Sequence, residues 1–177
     1  MRVVTAPEAY NYHYDDISIF LAGGITGCRP WQDWAIEMFR ERLPEDKYVL
    51  FNPRRKEFPI NDPNAAGEQI RWEFRHLNLM NYFFMYFDGP TESDQPICFY
   101  ELGRYVDRLF TKYGHKINEH CTICVNSAFH RKEDVIQQVQ LATMDRDLVQ
   151  EIRSALCYLE FRDVVDAAAA RIKRIKV

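Results

Sequence analysis

The sequence predicts an α/β protein: a three-layer sandwich whose mostly parallel sheet of four to five strands carries helices on both faces. Three observations predict it. Short apolar runs recur at residues 17–22, 48–51, 82–87 and 121–125. Segments of helical period separate them, which is the pattern of β-α-β units. The run Tyr82-Phe-Phe-Met-Tyr-Phe87 is apolar at every position, as in a strand covered on both faces.

The elements follow in order. Ile17-Ser-Ile-Phe-Leu-Ala22 runs into Gly23-Gly24, a strand entering a tight turn. Arg29-Pro30 opens a helix, since proline's missing N–H has no partner at a first helical position. Trp31, Trp34, Ala35, Met38 and Phe39 give that helix one apolar face through Leu43. Tyr48-Val-Leu-Phe51 is a second strand stopped by Asn52-Pro53, and residues 53–64 form a long polar loop. A helix over 65–79 buries Ile70, Phe74 and Leu77. The third strand, 82–87, leads through loop 88–96 to a helix over 100–113, with Leu102, Tyr105, Val106 and Leu109 inside. Residues 121–125 form the fourth strand, and 134–143 fit either helix or strand. Residues 147–176 read as helical with a break near Arg162, placing Leu148, Ile152, Ala155, Leu156 and Leu159 on one face. The chain thus reads as one domain, residues 1–177, with a C-terminal helical extension from about 147.

Composition narrows the class. The 177 residues are 47% hydrophobic and 14% aromatic, enough for a sizeable core. Lys and Arg number 23 against 26 Asp and Glu, a net charge of −3, and nucleic-acid binders normally carry a basic excess. The stretch Arg171-Ile-Lys-Arg-Ile-Lys176 reads accordingly as the solvated end of a helix, its cations favoured by the negative carboxyl end. No apolar run is long enough to span a membrane, and the first residues lack the pattern of a secretion signal, so a cytoplasmic location is expected.

The five cysteines are odd in number, which suits reduced thiols. Cys121-x-x-Cys124 has the spacing of a metal half-site. On a strand, however, positions three apart face opposite ways, and structural zinc wants two such pairs. These cysteines are expected in the core, and no metal is expected.

A parallel sheet places ligands outside the carboxyl ends of its strands. Gly23-Gly24, Asn52-Pro53-Arg54-Arg55, Asp88 and Asn126-Ser127 each follow a strand, so all are expected on one rim. The loop Gly23-Gly24-Ile25-Thr26-Gly27 lets backbone approach a ligand closely, but it has neither the Walker nor the dinucleotide spacing. Two acids reach the same rim. Glu101 lies near the start of the helix after the third strand, behind the apolar lead-in Pro96-Ile-Cys-Phe-Tyr100. Glu73 lies in a polar stripe with Gln69 and His76 at i, i+4 and i+7. Paired carboxylates can divide labour between nucleophile and acid, as in glycosyl-bond cleavage.

Four segments occur in this order: Phe20-Leu-Ala-Gly-Gly-Ile-Thr-Gly27, Phe51-Asn-Pro-Arg-Arg55, Glu68-Gln-Ile-Arg-Trp-Glu73 and Pro96-Ile-Cys-Phe-Tyr-Glu-Leu-Gly103. Together they resemble the nucleoside 2-deoxyribosyltransferase superfamily, in its nucleoside 2-deoxyribosyltransferase-like branch, over roughly residues 17–126. The resemblance implies a flavodoxin/Rossmann-like fold and cleavage of the N-glycosidic bond of a nucleoside or nucleotide, the sugar passing to another base or to water. Glu101 matches the family's nucleophile, which attacks C1′ and forms a glycosyl ester. Glu73 matches an acid, usually Asp, that orients or protonates the substrate. Gly23, Gly24 and Thr26 match the loop around the sugar or its 5′ end. Asp88 and Asp94 both lie in the loop that supplies an acid to sugar or base, and the choice between them stays open. Phe20, Asn52 and Arg54, which stand in the matched motifs, complete the candidate substrate contacts. Relatives acting on nucleotides often carry a serine where this chain has Gln95-Pro96-Ile97, leaving Arg29, Arg54 or Arg55 to supply positive charge for a 5′-phosphate.

The resemblance further implies no cofactor, a nucleoside or nucleotide and a free nucleobase as partners, and a homo-oligomer. A reading from a different class is a nucleotide-sensing domain that keeps the fold without turnover.

Overall fold

The computed structural model describes residues 1–144, 146–158 and 160–176, without the side chains of 146 and 154–158. The strands are β1 (Arg2–Thr5), β2 (Ile17–Gly23), β3 (Tyr48–Asn52), β4 (Tyr82–Phe87) and β5 (Cys121–Val125). They pair entirely in parallel in the order β1-β3-β2-β4-β5. The helices are α1 (Trp31–Arg42), α2 (Ala65–Leu79), α3 (Pro96–Tyr113), α4 (Lys132–Thr143), α5 (Arg146–Tyr158) and α6 (Phe161–Ile172), with a 3₁₀ segment at Gly114–Glu119 before β5. The architecture is the flavodoxin-like three-layer sandwich that the strand pattern predicts. No helix among the described residues is long and apolar enough to cross a membrane.

Period-two alternation sorts the strands between two core layers. Phe20, Ala22, Phe83, Met85 and Phe87 pack with α2, α3, α4 and α5. Ile17, Ile19, Leu21, Tyr82, Phe84 and Tyr86 pack with α1 and α6. Cys121 belongs to the first layer and Cys124 to the second, so the pair faces opposite ways as strand geometry requires.

Several elements differ from the sequence reading. β1 is an additional strand: four half-buried residues pair with β3 at the sheet edge, and shortness is what an edge strand needs to avoid pairing with other chains. α3 begins at Pro96, not at 100, so the apolar lead-in is its first turn and Glu101 lies in its second. Residues 132–143 are helix, and the C-terminal region divides into α5, ending at Tyr158, and α6, beginning at Phe161 and capped by Glu160 reciprocally with Asp163. Three apolar residues expected on buried helix faces are exposed. Ile70 and Phe74 on α2 are 64% and 51% exposed and Trp34 on α1 is 39% exposed, while Trp72, His76, Leu77 and Ile36 take the buried positions. The helical stripe is therefore turned by about one position from the expected one. Ala155, Leu156 and Leu159 of the predicted C-terminal face lie outside the described side chains.

His76 occupies an aromatic enclosure in the α2 layer. Its ring centroid lies 4.1 Å from that of Trp72 and 4.5 Å from that of Phe51. Nδ1 is 2.7 Å from the Trp72 carbonyl, whereas Nε2 is buried without a partner. Burial holds the ring below the usual imidazole pKa, so the unfolded chain binds this proton first. Stability from neutral His76 is therefore fully present above about pH 6.5 and declines as pH falls, by at most about 1.4 kcal/mol per unit. Denaturant unfolding at pH 7 and pH 5 tests this. The loss on acidification is expected to be smaller in His76→Gln than in the parent chain, a comparison in which the other titrating groups cancel.

Candidate active site

The sheet's order reverses at β2 and β4, whose loops leave toward opposite sides, and such a switch point opens a crevice at the carboxyl edge. Backbone constraints shape that crevice first. Gly23 has φ of +147°, and a Cβ there would lie 2.2 Å from the Tyr86 carbonyl oxygen and 2.6 Å from the Trp31 ring. Only glycine lets β2 pass so close to β4 and α1. At Gly24 a Cβ would meet the Cys28 sulfur at 2.4 Å and the Gln95 amide oxygen at 2.5 Å.

Two guanidinium groups then fix the loops. Arg54 donates from Nε to Gln32 Oε1 at 2.7 Å, and from Nη2 to the carbonyls of Ile25 at 3.1 Å and Arg29 at 2.8 Å. Arg29 donates its backbone N–H (2.8 Å) and its Nε (2.9 Å) to the fully buried Asp88 carboxylate. Gln95 completes the frame: its Nε2 donates to the Asp88 carbonyl at 2.9 Å, and it enters α3 with a left-handed φ of +48°. The loops after β2, β3 and β4 are thus locked to one another through buried polar groups.

Between these loops and helices α2 and α3 lies a cavity of about 370 Å³, with Gly23, Gly24, Thr26, Glu73, Gln95 and Glu101 among its lining residues. Glu101 is 8% exposed. Burial, augmented by the negative charge of Glu73, pushes its carboxyl up to about 8. Glu73 is raised by burial as well, with the Gln69 hydrogen bond and the Arg55 charge acting against the rise. Gln69 is the intermediary. Its Nε2 donates to Glu73 Oε1 at 2.8 Å and to the Pro53 carbonyl at 2.7 Å, while its Oε1 accepts from Arg55 Nε at 2.7 Å. Arg55 also pairs with Glu68 at 2.9 Å. Arginine therefore orients Glu73 through an amide and does not contact it as an ion pair.

The structure brings Glu101, Glu73, Gly23, Gly24 and Thr26 together on the cavity wall. Other sequence candidates go elsewhere for identifiable reasons. Asp88 is consumed by Arg29. Asp94 is exposed and meets His130 at 2.8 Å. Phe20 packs into the core against Trp72. Asn52 is buried and accepts the Arg54 backbone N–H at 3.0 Å, closing the turn after β3. Arg54 braces loop carbonyls from outside the lining. The cavity instead presents Arg55, Phe58, Ser93, Gln95 and Cys98. A signal for Gln95 was present: Pro96 in the first turn marks the helix start, which puts Gln95 at the cap. Arg55 carried no signal that separates it from Arg54.

A family model described as nucleoside 2-deoxyribosyltransferase like matches residues 16–112. No curated protein shows significant similarity to the chain. The matched span contains the glycine loop, both glutamates, Gln69 and the locking pair Arg29 and Asp88.

The coupling between the two glutamates predicts a measurable shift. In Glu73→Gln, the Glu101 carboxyl is expected to titrate below about 8, because one like charge is gone, yet above the ordinary carboxylate range, because burial persists. Carbon-detected NMR of glutamate carboxyls reads the midpoint, and an unchanged value would show that the two carboxyls do not sense each other.

Proposed function

The chain belongs to the nucleoside 2-deoxyribosyltransferase-like family, and on that premise we propose that it cleaves the N-glycosidic bond of a nucleoside or nucleotide through a covalent sugar ester on Glu101. The observation that carries this reading is a cavity on the switch-point rim lined by two carboxyls in unequal settings, Glu101 buried and Glu73 half-buried. Like charges in one low-dielectric site do not ionise independently, and such pairs separate into acid and base roles.

In the proposed reaction, ionised Glu101 attacks C1′, the bond from C1′ to the base nitrogen breaks, and the bonding pair leaves with the base. Glu73 supplies the proton the departing base needs, and Gln69 holds one of its oxygens in place. A second base, or water, then gives its proton to the Glu73 carboxylate as it bonds to C1′ and displaces Glu101, which restores both the acid and the free carboxylate. The first half-reaction is common to transfer and hydrolysis, so the enzyme class turns on which acceptor enters. Gly23, Gly24 and Thr26 are assigned to the sugar, whose hydroxyls approach the bare backbone there. Ser93 stands near the α3 amino end and supplies a polar contact for the 5′ side.

The cavity's lining includes the apolar side chains Ile70 and Ile97, each more than half exposed. A homo-oligomer in which a second copy covers this apolar rim completes the proposal, with a free nucleobase as the second partner.

Mass spectrometry after incubation with a panel of nucleosides and nucleotides is the direct test. A sugar adduct on the peptide containing Glu101 is expected, and Glu101→Gln is expected to lose it together with roughly a thousandfold or more of turnover. Adding a different free base to the reaction separates the classes: a new nucleoside identifies a transferase, free sugar alone a hydrolase. Absence of adduct and turnover across the panel would favour a sensing role. Because attack needs one proton shared between the pair, Glu101 ionised and Glu73 protonated, kcat/KM is also expected to fall about tenfold per pH unit above about 8, where the pair loses that last proton.

A further inference from the structure

The opposite edge of the sheet holds a second cavity, of about 640 Å³. Asn81, just before β4, and His120, just before β5, line it, so it opens at the amino ends of the strands. The Glu101 cavity lies at the carboxyl ends, about 20 Å away along a six-residue strand. Four cations line this second cavity, Lys112, Arg171, Arg174 and Lys176, against one carboxylate, Glu119. Arg171 is committed, since it makes two hydrogen bonds to Glu151 at 2.7 and 2.8 Å. Lys112 lies over the Tyr113 ring at 4.8 Å from its centroid. Among the described residues, Lys112, Arg174 and Lys176 have no carboxylate within ion-pair distance.

Helix ends explain part of this. Lys112 closes α3, and Arg174 and Lys176 follow α6, so each sits where a helix carboxyl end favours a cation. That effect accounts for each cation singly. It does not account for two helices directing their uncompensated cations into one concavity on a chain of net charge −3. Concentrated like charge raises the energy of the folded state unless a counter-ion is bound, and a concave setting focuses the field on such an ion. The walls are also firm. Tyr113 and His120 are stacked with ring centroids 3.6 Å apart and planes 8° apart, and the Arg171–Glu151 pair ties α6 to α5.

We propose that this basic cavity is a second ligand site, binding a small polyanion of the phosphate class such as a diphosphate or triphosphate group. Three cations without a carboxylate partner among the described residues match a group carrying about three charges better than a single carboxylate. The assignment is independent of turnover at Glu101.

The test is an amide NMR titration of the whole chain with inorganic pyrophosphate at constant ionic strength. Saturable shifts are expected at Lys112, Tyr113, His120 and Arg174. Changing both Lys112→Gln and Arg174→Gln is expected to weaken binding roughly tenfold or more, and Glu119→Gln is expected to tighten it severalfold. Tightening cannot come from a damaged fold, so the Glu119 variant keeps the proposal testable if the double variant folds poorly. A nucleoside diphosphate distinguishes the sources. Affinity equal to that of pyrophosphate assigns the site to the phosphates alone, and tighter binding centred on the same residues assigns it to a nucleotide. Three results would overturn the proposal: no saturation by about 10 mM, shifts that sodium chloride reproduces at equal ionic strength, or shifts confined to the rim between Gly24 and Gln95.

Discussion

Keeping a carboxyl dry requires that nearby cations be occupied elsewhere, and the arrangement around Glu101 meets that condition. Three arginines follow the first strands of the rim, and any of them placed on Glu101 would neutralise it and pull its proton off. Arg29 is bound to Asp88, Arg54 to the glycine-loop carbonyls and Gln32, and Arg55 to Gln69 and Glu68. The same bonds lock the loops into the cavity's shape. One set of interactions therefore sets both geometry and protonation, and a substitution that frees a guanidinium alters the two together.

Glu73 sits between the extremes. It is partly shielded by Gln69 and receives the charge of Arg55 only at second hand. An arginine in direct contact would have fixed Glu73 as an anion, unable to deliver a proton. An amide in its place orients the oxygen and leaves the proton exchangeable.

The strands were legible because each is a short apolar run bounded by glycine, proline or asparagine, and parallel order followed from alternation with helices. The glutamates were legible because the crevice rule sends residues after β3 and β4 to one edge. What did not show was direction. Helical spacing alone does not say which of two adjacent apolar stripes faces inward, so Ile70 and Phe74 were exchanged for Trp72 and His76. Neighbouring Arg54 and Arg55 have one chemistry and different partners, and only tertiary contacts distinguish them. Asp88 and Asp94 were equivalent in the sequence, whereas burial beside Arg29 separates them in the fold. β1, Arg2-Val-Val-Thr5, has only two apolar residues, too few to stand out as a strand. In each case the missing information was a long-range contact.

The pairing of β2 with β4 has a kinetic meaning. Ile19 aligns with Tyr82 and Gly23 with Tyr86, so the two central strands meet only after a loop of about sixty residues closes, a step that costs entropy before it yields contacts. The walls around Glu101 come from both sides of that loop. Helix α1 and strand β3 can form locally without it, but the carboxyl pocket has no local precursor. Regain of ligand binding during refolding would therefore time the closure of the sheet's centre, and until then the wholly apolar strand Tyr82–Phe87 is the segment most open to association with other unfolded chains.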